Sequence, residues 1–345
     1  MNSLKVLQVI DTLDIGGAER VFIDINAILF ENKVEVTSFF LTNSGVLSKE
    51  LNPKINKIEL NRKNKLNLIT MHKCSRILSQ YSIIHCHLRH VYNYITLVSK
   101  MFFLNSKIIL HDHSGLIEVD RNTRFLFNSF FKPKFYIGVS KSLTNWANES
   151  LKINSNAVFL LQNIIIKKEF DKNKNTDIDL LLVSNIKPNK NNKFVVNLSN
   201  KINKRVSLIG NVQDEKYYQE LVLQMKDSNC NFISNDFNSQ YYMRNAKFGL
   251  HTSIYESGPL VLIEYLSQKL PFLAYETGEV ATILKPFFPD YFIDNLNVND
   301  WVDRITLLYN LEVDEEKMET VFNTYFGKEK YFNELLDIYK CILKN

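Results

Sequence analysis

Short apolar runs alternate with stretches of helical periodicity along most of the chain. Leu4–Ile10 (LKVLQVI) reads as a buried strand, and Ala18, Val21, Phe22, Ile25, Ile28 and Leu29 follow at helical spacing. Val34–Leu41, Ser82–His87, Lys107–His111, Phe135–Val139 and Val158–Leu161 are further strand runs. A helix is expected near Tyr92–Phe103, and another over Lys141–Leu151 with Ser140 as its cap. Residues 167–179 are polar and read as a linker or loop, so a boundary is expected near 163–178. The series then restarts with Leu180–Val183, Val206–Ile209, Asn231–Ile233, Phe248–His251 and Phe272–Ala274. Tyr331, Leu335, Ile338, Tyr339 and Ile342 place a terminal helix over Lys328–Leu343. Such alternation predicts an α/β protein with two successive parallel, doubly wound sheets.

Composition adds bounds. The 345 residues are 45% hydrophobic and 23% charged, which excludes disorder, collagen-like repeats and coiled coil and suits two domains. The net charge of +5 divides unevenly, with +8 in residues 1–165 and −3 in residues 166–345. A basic front half suits an anionic surface such as membrane headgroups, a phosphorylated carrier or nucleic acid; a chance surplus of solvated lysines reads equally well. No RNP, zinc-finger or helix-turn-helix pattern supports nucleic acid. Cys74, Cys86, Cys230 and Cys341 form no CxxC pair and read as reduced, mostly buried thiols of a cytosolic protein. No signal peptide precedes the first strand, and the apolar runs fall short of the ~18 residues of a membrane span. The expectation is a cytoplasmic protein, or one held on a membrane only peripherally.

Four groups of residues can carry chemistry. Asp11-Thr-Leu-Asp-Ile-Gly16-Gly17-Ala18-Glu19-Arg20 joins the first strand to the first helix. Its glycines permit a tight turn and close ligand approach, and the helix N-terminus behind them suits phosphate. It is neither GxGxxG nor a P-loop, and a plain turn reads as well. In Glu256-Ser-Gly258-Pro259-Leu260-Val261-Leu-Ile-Glu264, Gly258 and Pro259 start a helix, with Pro in its first turn. Glu256 lies just before that helix and Glu264 about two turns into it, with the free amides of Leu260 and Val261 between. A diphosphate flanked by two hydroxyl-bearing sugars fits this layout; an amphipathic helix with two solvated glutamates fits it too. The stretch from Ser184 and Asn185 to Asn191 puts Lys187 and Lys190 in a loop after a strand, where lysines neutralise phosphate or are merely solvated. His85-Cys-His87, with His90 nearby, and His111-Asp-His113 end two strands. The set lacks the HxHxDH order of binuclear hydrolases, so no metal is expected. A sugar or phosphate contact is the functional reading of His113, and hydrogen-bonded structural roles are expected for His85, His87 and His90. Asp177-Ile-Asp179 is formally DxD but reads as solvated linker.

Together these motifs resemble the GT-B glycosyltransferases of family 4, the retaining group-1 glycosyl transferases. Gly16-Gly17-Ala18-Glu19-Arg20 is similar to the family's GGAER loop, Ile137-Gly-Val-Ser140 to its "xxVS" step, and Leu160-Leu-Gln-Asn163 to its "xxPN" crossing without the Pro. Glu256 to Glu264 matches its E-x7-E element. The resemblance implies two Rossmann-like domains facing across a cleft. Residues 1–163 form the acceptor side and 164–327 the nucleotide-sugar side, with 328–345 packing back toward the first. It implies a UDP- or GDP-linked sugar donor, no cofactor or essential metal, and a glycan or lipid-linked acceptor in cell-surface polysaccharide synthesis. Glu256 would hold the transferred sugar, Glu264 the ribose, and the amides near Gly258, Leu260 and Val261 the phosphate and sugar. Lys190 would pair with the diphosphate, Gly16 and Gly17 would approach the donor, and His113 would touch its sugar. One departure stands out: Ser184-Asn185 replaces the family's Gly-Arg, so Asn185 removes a charge partner that Lys187 supplies only if the loop turns inward. A non-catalytic binding protein on this fold, and a hydrolase built on the histidines, are the alternatives.

Overall fold

The computed structural model describes residues 4–118, 120, 122, 129–170, 178–202, 204–226, 228–234 and 238–345. Residues 171–177 of the polar stretch, Asp177 among them, lie outside the described residues. The chain divides into two compact units, Met1–Ile164 with Lys328–Asn345, and Ile165–Gly327.

The first unit contains β1 (Lys5–Ile10), α1 (Gly17–Glu31), β2 (Glu35–Phe40), β3 (Asn56–Glu59), α2 (Leu68–Leu78), β4 (Ile83–His87), α3 (Arg89–Met101), β5 (Lys107–Asp112), β6 (Phe135–Gly138), α4 (Lys141–Glu149) and β7 (Val158–Leu160). All neighbouring strands are parallel, in the order β3-β2-β1-β4-β5-β6-β7. The central strands are buried on both faces, which is why β1 and β4 read as largely apolar runs, broken by the buried Gln8, His85 and His87. β3 left no such trace: its four residues, NKIE, sit at the sheet edge and are partly exposed, so nothing forces an apolar pattern on them. Ser140 caps α4, its Oγ accepting from the Leu143 amide at 3.2 Å. The terminal helix, Lys328–Lys344, buries all five of its periodic apolar residues in this unit. Its Tyr339 hydroxyl meets Gln8 of β1 at 2.9 Å and His85 of β4 at 2.7 Å.

The second unit contains β8 (Ile178–Val183), α5 (Asn192–Ser199), β9 (Val206–Gly210), α6 (Glu215–Met225), β10 (Cys230–Ser234), α7 (Ser239–Asn245), β11 (Ala246–His251), α8 (Leu260–Ser267), β12 (Phe272–Tyr275), α9 (Gly278–Leu284), β13 (Phe292–Ile293), α10 (Val298–Tyr309) and α11 (Glu315–Phe326). Its parallel strands run β10-β9-β8-β11-β12-β13. β13, two residues long, is too short to leave a periodic signal. One apolar cluster lies around α8, α9 and α11, and another around α5 and α10, where Phe194 packs edge-on against Trp301 at 5.1 Å. Asp179 is not a solvated linker residue: it lies in β8, paired with Lys247 at 3.2 Å and accepting from the Tyr309 hydroxyl at 3.0 Å.

Both sheets are therefore doubly wound. The strand order reverses between β1 and β4 in the first and between β8 and β11 in the second, and the crevice outside such a reversal is where open α/β sheets bind ligands. All four cysteines are free, Cys74 and Cys86 fully buried and the other two partly. Among the described residues no helix is long and apolar enough to cross a membrane.

Candidate functional site

The reversal point of the second unit gathers most of the charged candidates. After β8 the chain turns tightly over Gly210, where a Cβ would meet the Ser184 carbonyl oxygen at 2.0 Å, and Ser184 Oγ accepts from Asn192 at 2.8 Å. The following 3-10 turn, Pro188–Lys190, is clamped by the loop leaving β11. Thr252 Oγ1 donates to the Lys190 carbonyl at 3.0 Å and the Ile254 amide to that of Asn189 at 2.8 Å. Lys190, fixed at its backbone, forms a part-buried ion pair with Glu256. Burial alone would raise the Glu256 carboxyl; Lys190, His251 and a hydrogen bond from Ser253 outweigh it and hold the group below its ordinary range.

The loop also turns Lys187 inward. Burial, and then the charge of Lys190, push its ammonium below the ordinary lysine value while Glu256 pulls it up. Lys190 alone is in contact with Glu256, and Lys187 is near enough to feel the charge of both. His251, at the end of β11, belongs to the same cluster and was not foreseen. It is 2% exposed, its Nε2 has no hydrogen-bond partner, and burial lowers its pKa to about 4 while Glu256 raises it and Lys190 lowers it. Like His87 it ends a strand, the placement that marks it in the sequence.

The helix after Glu256 begins later than its sequence implied. Pro259 is the N-cap of α8, not its first turn, and Glu264 is the fifth helical residue, about one turn in. Gly258, Leu260 and Val261 are part-buried at this start, where helix amides lack intrahelical partners. Glu264 is buried and accepts from Ser239 Oγ at 2.9 Å. The next residue anchors the helix: Tyr265 lies on Gly249, where a Cβ would meet its ring at 2.9 Å, and its hydroxyl reaches the carbonyls of Leu181 and Leu250 at 3.1 and 2.9 Å. Gly278, at φ +80°, brings the start of α9 onto this loop; a Cβ there would press on Pro259 at 2.7 Å, and the Glu279 amide donates to the Ser257 carbonyl at 2.8 Å. Ser239 and Gly278 carry no motif and escape sequence reasoning.

The reversal point of the first unit is built from neutral groups. His85 and His87 of β4 stack at 4.7 Å between ring centroids, and His111 and His113 lie at 4.2 Å. Gln8 and Tyr339 tie the rings together. The Gln8 amide nitrogen donates to the Tyr339 hydroxyl, which lies 2.7 Å from His85 Nδ1. His85 Nε2 lies 3.0 Å from His111 Nδ1, and His111 Nε2 has no hydrogen-bond partner among the described residues. On the other side His87 Nε2 donates to Gln8 Oε1 at 2.8 Å, leaving Nδ1 to accept from His113 Nε2 at 3.2 Å. Burial pushes every ring down, His85 to about 3 and His113 to about 4, and the neighbouring rings lower His85, His87 and His111 further. Ring nitrogens of His85, His87 and His111 lie within 4.8 Å of one another, the spacing of a possible metal site. His90 is half exposed and pairs with Asp11 at 3.5 Å, a contact that holds the Asp11 carboxyl below its ordinary range.

Gly16 and Gly17 begin α1 with Gly16 extended (φ −166°), so no left-handed turn requires glycine. The Glu19 carboxylate folds over the helix start; a Cβ on Gly16 would meet its Oε2 at 2.2 Å, a contact that the flexible Glu19 side chain could relieve by moving. Burial raises the Glu19 carboxyl. Arg20 is committed to Glu50 through two hydrogen bonds of 2.6 and 2.9 Å.

Residues 164–325 match the family model described as glycosyl transferases group 1. No curated protein matches the chain. Among solved structures, HepE (Alr3699) of Anabaena in complex with UDP and glucose is 13% identical, over 98% of this chain and 99% of that one, with a TM-score of 0.81. A glycosyltransferase of Rickettsia africae is 16% identical over 100% of both chains, TM-score 0.78. A TarM variant of S. aureus in complex with fondaparinux, alpha-GlcNAc-glycerol and UDP is 13% identical over 97% and 99%, TM-score 0.74. At these identities the likeness is one of fold, that of the GT-B glycosyltransferases.

Proposed function

We propose, from a chain that carries a group 1 glycosyl transferase domain over residues 164–325, that this protein is a retaining glycosyltransferase of cell-surface polysaccharide synthesis, and that it works without a metal. The donor is a UDP- or GDP-linked sugar; the acceptor is a glycan or lipid-linked and falls to the first unit. The observation that carries this reading is the convergence of Lys187, Lys190 and Glu256 on the reversal point between β8 and β11.

The chemistry follows from that cluster. Lys190 neutralises Glu256 in this structure. A diphosphate brings more negative charge than one carboxylate, so it draws Lys190 away and frees Glu256 to accept hydrogen bonds from the hydroxyls of the transferred sugar. Glu264, aimed by Ser239, accepts from the ribose hydroxyls. The amides of Leu260 and Val261, near Gly258, face the phosphate with the positive end of α8. Lys187 supplies the second cation that Asn185 lacks, which favours catalysis over a non-catalytic role. As the sugar–phosphate bond breaks, charge grows on the leaving diphosphate, and the two ammonium groups stabilise it there. His113, Gly16 and Gly17 are the positions of the first unit assigned to substrate. The protein acts in the cytoplasm, and its basic first half meets an anionic membrane.

The test is a thermal-shift panel of UDP-, GDP-, ADP-, CMP- and dTDP-sugars with EDTA throughout. A ligand that binds only the folded state raises the midpoint. A shift with one nucleotide class, absent in Glu264→Ala, is expected; no shift with any donor overturns the reading.

A further inference from the structure

At the reversal point of the first unit His85, His87 and His111 are shut away from solvent, whereas His90 is half exposed. β1 and β4 pair side by side as far as Val9 and Cys86, and the chain leaves both at the same sheet edge. Asp11 follows β1 directly, and Leu88, Arg89 and His90 lead from β4 into the first turn of α3. Leu88 takes φ +75°, a backbone conformation that side chains rarely tolerate, and strain of this kind gathers at functional sites. From that step Arg89 reaches Asp112 at 2.8 Å and His90 Nε2 reaches Asp11 Oδ2 at 3.5 Å.

Asp11 is held at three further points. Its carbonyl accepts from the Thr42 amide at 3.0 Å and the Thr42 hydroxyl at 2.9 Å, and its Oδ1 accepts from Arg62 at 2.9 Å. Arg62 is buried in turn and lies over the Tyr94 ring at 4.3 Å. Tyr94 stands one helical turn after His90, so α3 carries both the imidazole and the ring that backs its partner. The hydrogen bond of His90, and then the charge of Arg62, hold the Asp11 carboxyl below its ordinary range against burial. An ionised carboxylate only accepts, so Nε2 carries the ring N–H and Nδ1 keeps its lone pair. The glycine loop adjoins the pair: burial raises the Glu19 carboxyl that covers Gly16, and the charge of His90 lowers it. The charges about the ring are thus Asp11 and Glu19, with Arg62 and Lys65 acting on Asp11. A base whose ring is fixed by a third group is the arrangement that activates hydroxyl nucleophiles.

Transfer of a sugar to a hydroxyl leaves one proton to be placed. We propose that His90 takes it, with Asp11 as its positioning residue, and that the acceptor hydroxyl comes to the edge between β1 and β4. The acceptor oxygen bonds to the anomeric carbon. The sugar–phosphate bond breaks, and its electron pair leaves with the diphosphate. The hydroxyl proton passes to His90 Nδ1, and the half-exposed ring returns it to water. The inference rests on the transfer reaction read above and adds the destination of its proton.

Release of nucleoside diphosphate from UDP-glucose and from GDP-mannose by the full chain tests it. His90 is open to solvent, so water serves as the acceptor. His90→Gln should slow release by about 10²–10³-fold while the melting temperature and the donor-induced shift stay as in wild type. Between about pH 8 and pH 6 wild-type release should fall with acid, as the imidazole gains a proton, and the His90→Gln rate should stay level. Added imidazole should restore His90→Ala by about fivefold or more, whereas Asp11→Asn should lose about tenfold and gain nothing from imidazole, since its own ring is in place. A His90→Gln rate within threefold of wild type would overturn the proposal and leave the proton to the departing diphosphate. A His90→Ala variant that imidazole does not restore, or a donor shift with no release by wild type, would overturn it as well, with the glycosyltransferase reading left standing. No donor shift and no release defeats that reading, and this inference with it.

Discussion

The two sheets reverse their strand order in the same way, yet the chain fills the two reversal points with opposite chemistry. Between β1 and β4 lie histidines that burial keeps neutral, hydrogen-bonded to one another and to Gln8 and Tyr339. Between β8 and β11 lie Lys187, Lys190 and Glu256, charged and part-buried, with the unpartnered Nε2 of His251 beside them. Each site leaves one buried imidazole nitrogen without a partner among the described residues, His111 Nε2 in the first and His251 Nε2 in the second, so what separates them is charge: neutral rings against a charged pair with a further lysine nearby. Equal topology therefore does not mean equal role. The second point holds charge, the first neutral rings.

Acid should break the comparison most strongly. Histidines neutral in the folded state but free to charge in the unfolded one make the unfolded chain bind more protons below pH ~6.5, so stability is complete above that pH and falls as the pH drops toward the folded values of about 3 to 4. Every buried ring pushes in the same direction, so the melting temperature is expected to fall steadily between pH 6.5 and pH 4. Calorimetric melting at stepwise pH checks this, and a melting temperature unchanged from pH 6.5 to 4.5 would contradict neutral rings.

Lys190→Ala should lower the transfer rate by about 10²–10³-fold, the scale of one lost group that stabilises developing charge. A rate within threefold of wild type would remove Lys190 from the chemistry. Glu264→Ala should weaken the nucleotide sugar by about 1.5–3 kcal/mol, read by calorimetric titration, without changing the acid unfolding profile. Gln8→Leu should do the reverse. It leaves the His87 N–H and the Tyr339 hydroxyl short of a partner, at about 1–3 kcal/mol each, and should lower the melting temperature while the donor-induced shift persists. Smallest is His251→Leu, which removes one depressed titration and should make the acid limb shallower. If Gln8→Leu abolished donor binding while leaving stability intact, the division of roles drawn here would be wrong.

Much of the architecture was legible in advance because it is local. Parallel strands buried on both faces must be apolar runs, so β1, β4 and β11 announced themselves, and Ser140 announced its helix by cap chemistry. β3 and β13 did not, being an exposed edge and a two-residue strand. The start of α8 was misplaced by one residue because Pro suits the N-cap and the first turn alike.

The sequence by itself determined two doubly wound sheets and the residue types delivered to the ends of their strands, since both follow from periodicity within a few residues. Only the tertiary structure decided what those residues do to one another. Lys190 meets Glu256 across 66 positions, and His85 meets Tyr339 across 254. The inward turn of Lys187, the neutrality of the histidines and the orphaned nitrogen of His251 all depend on such encounters. Charge state is set by burial and by neighbours in space, and no local pattern encodes either.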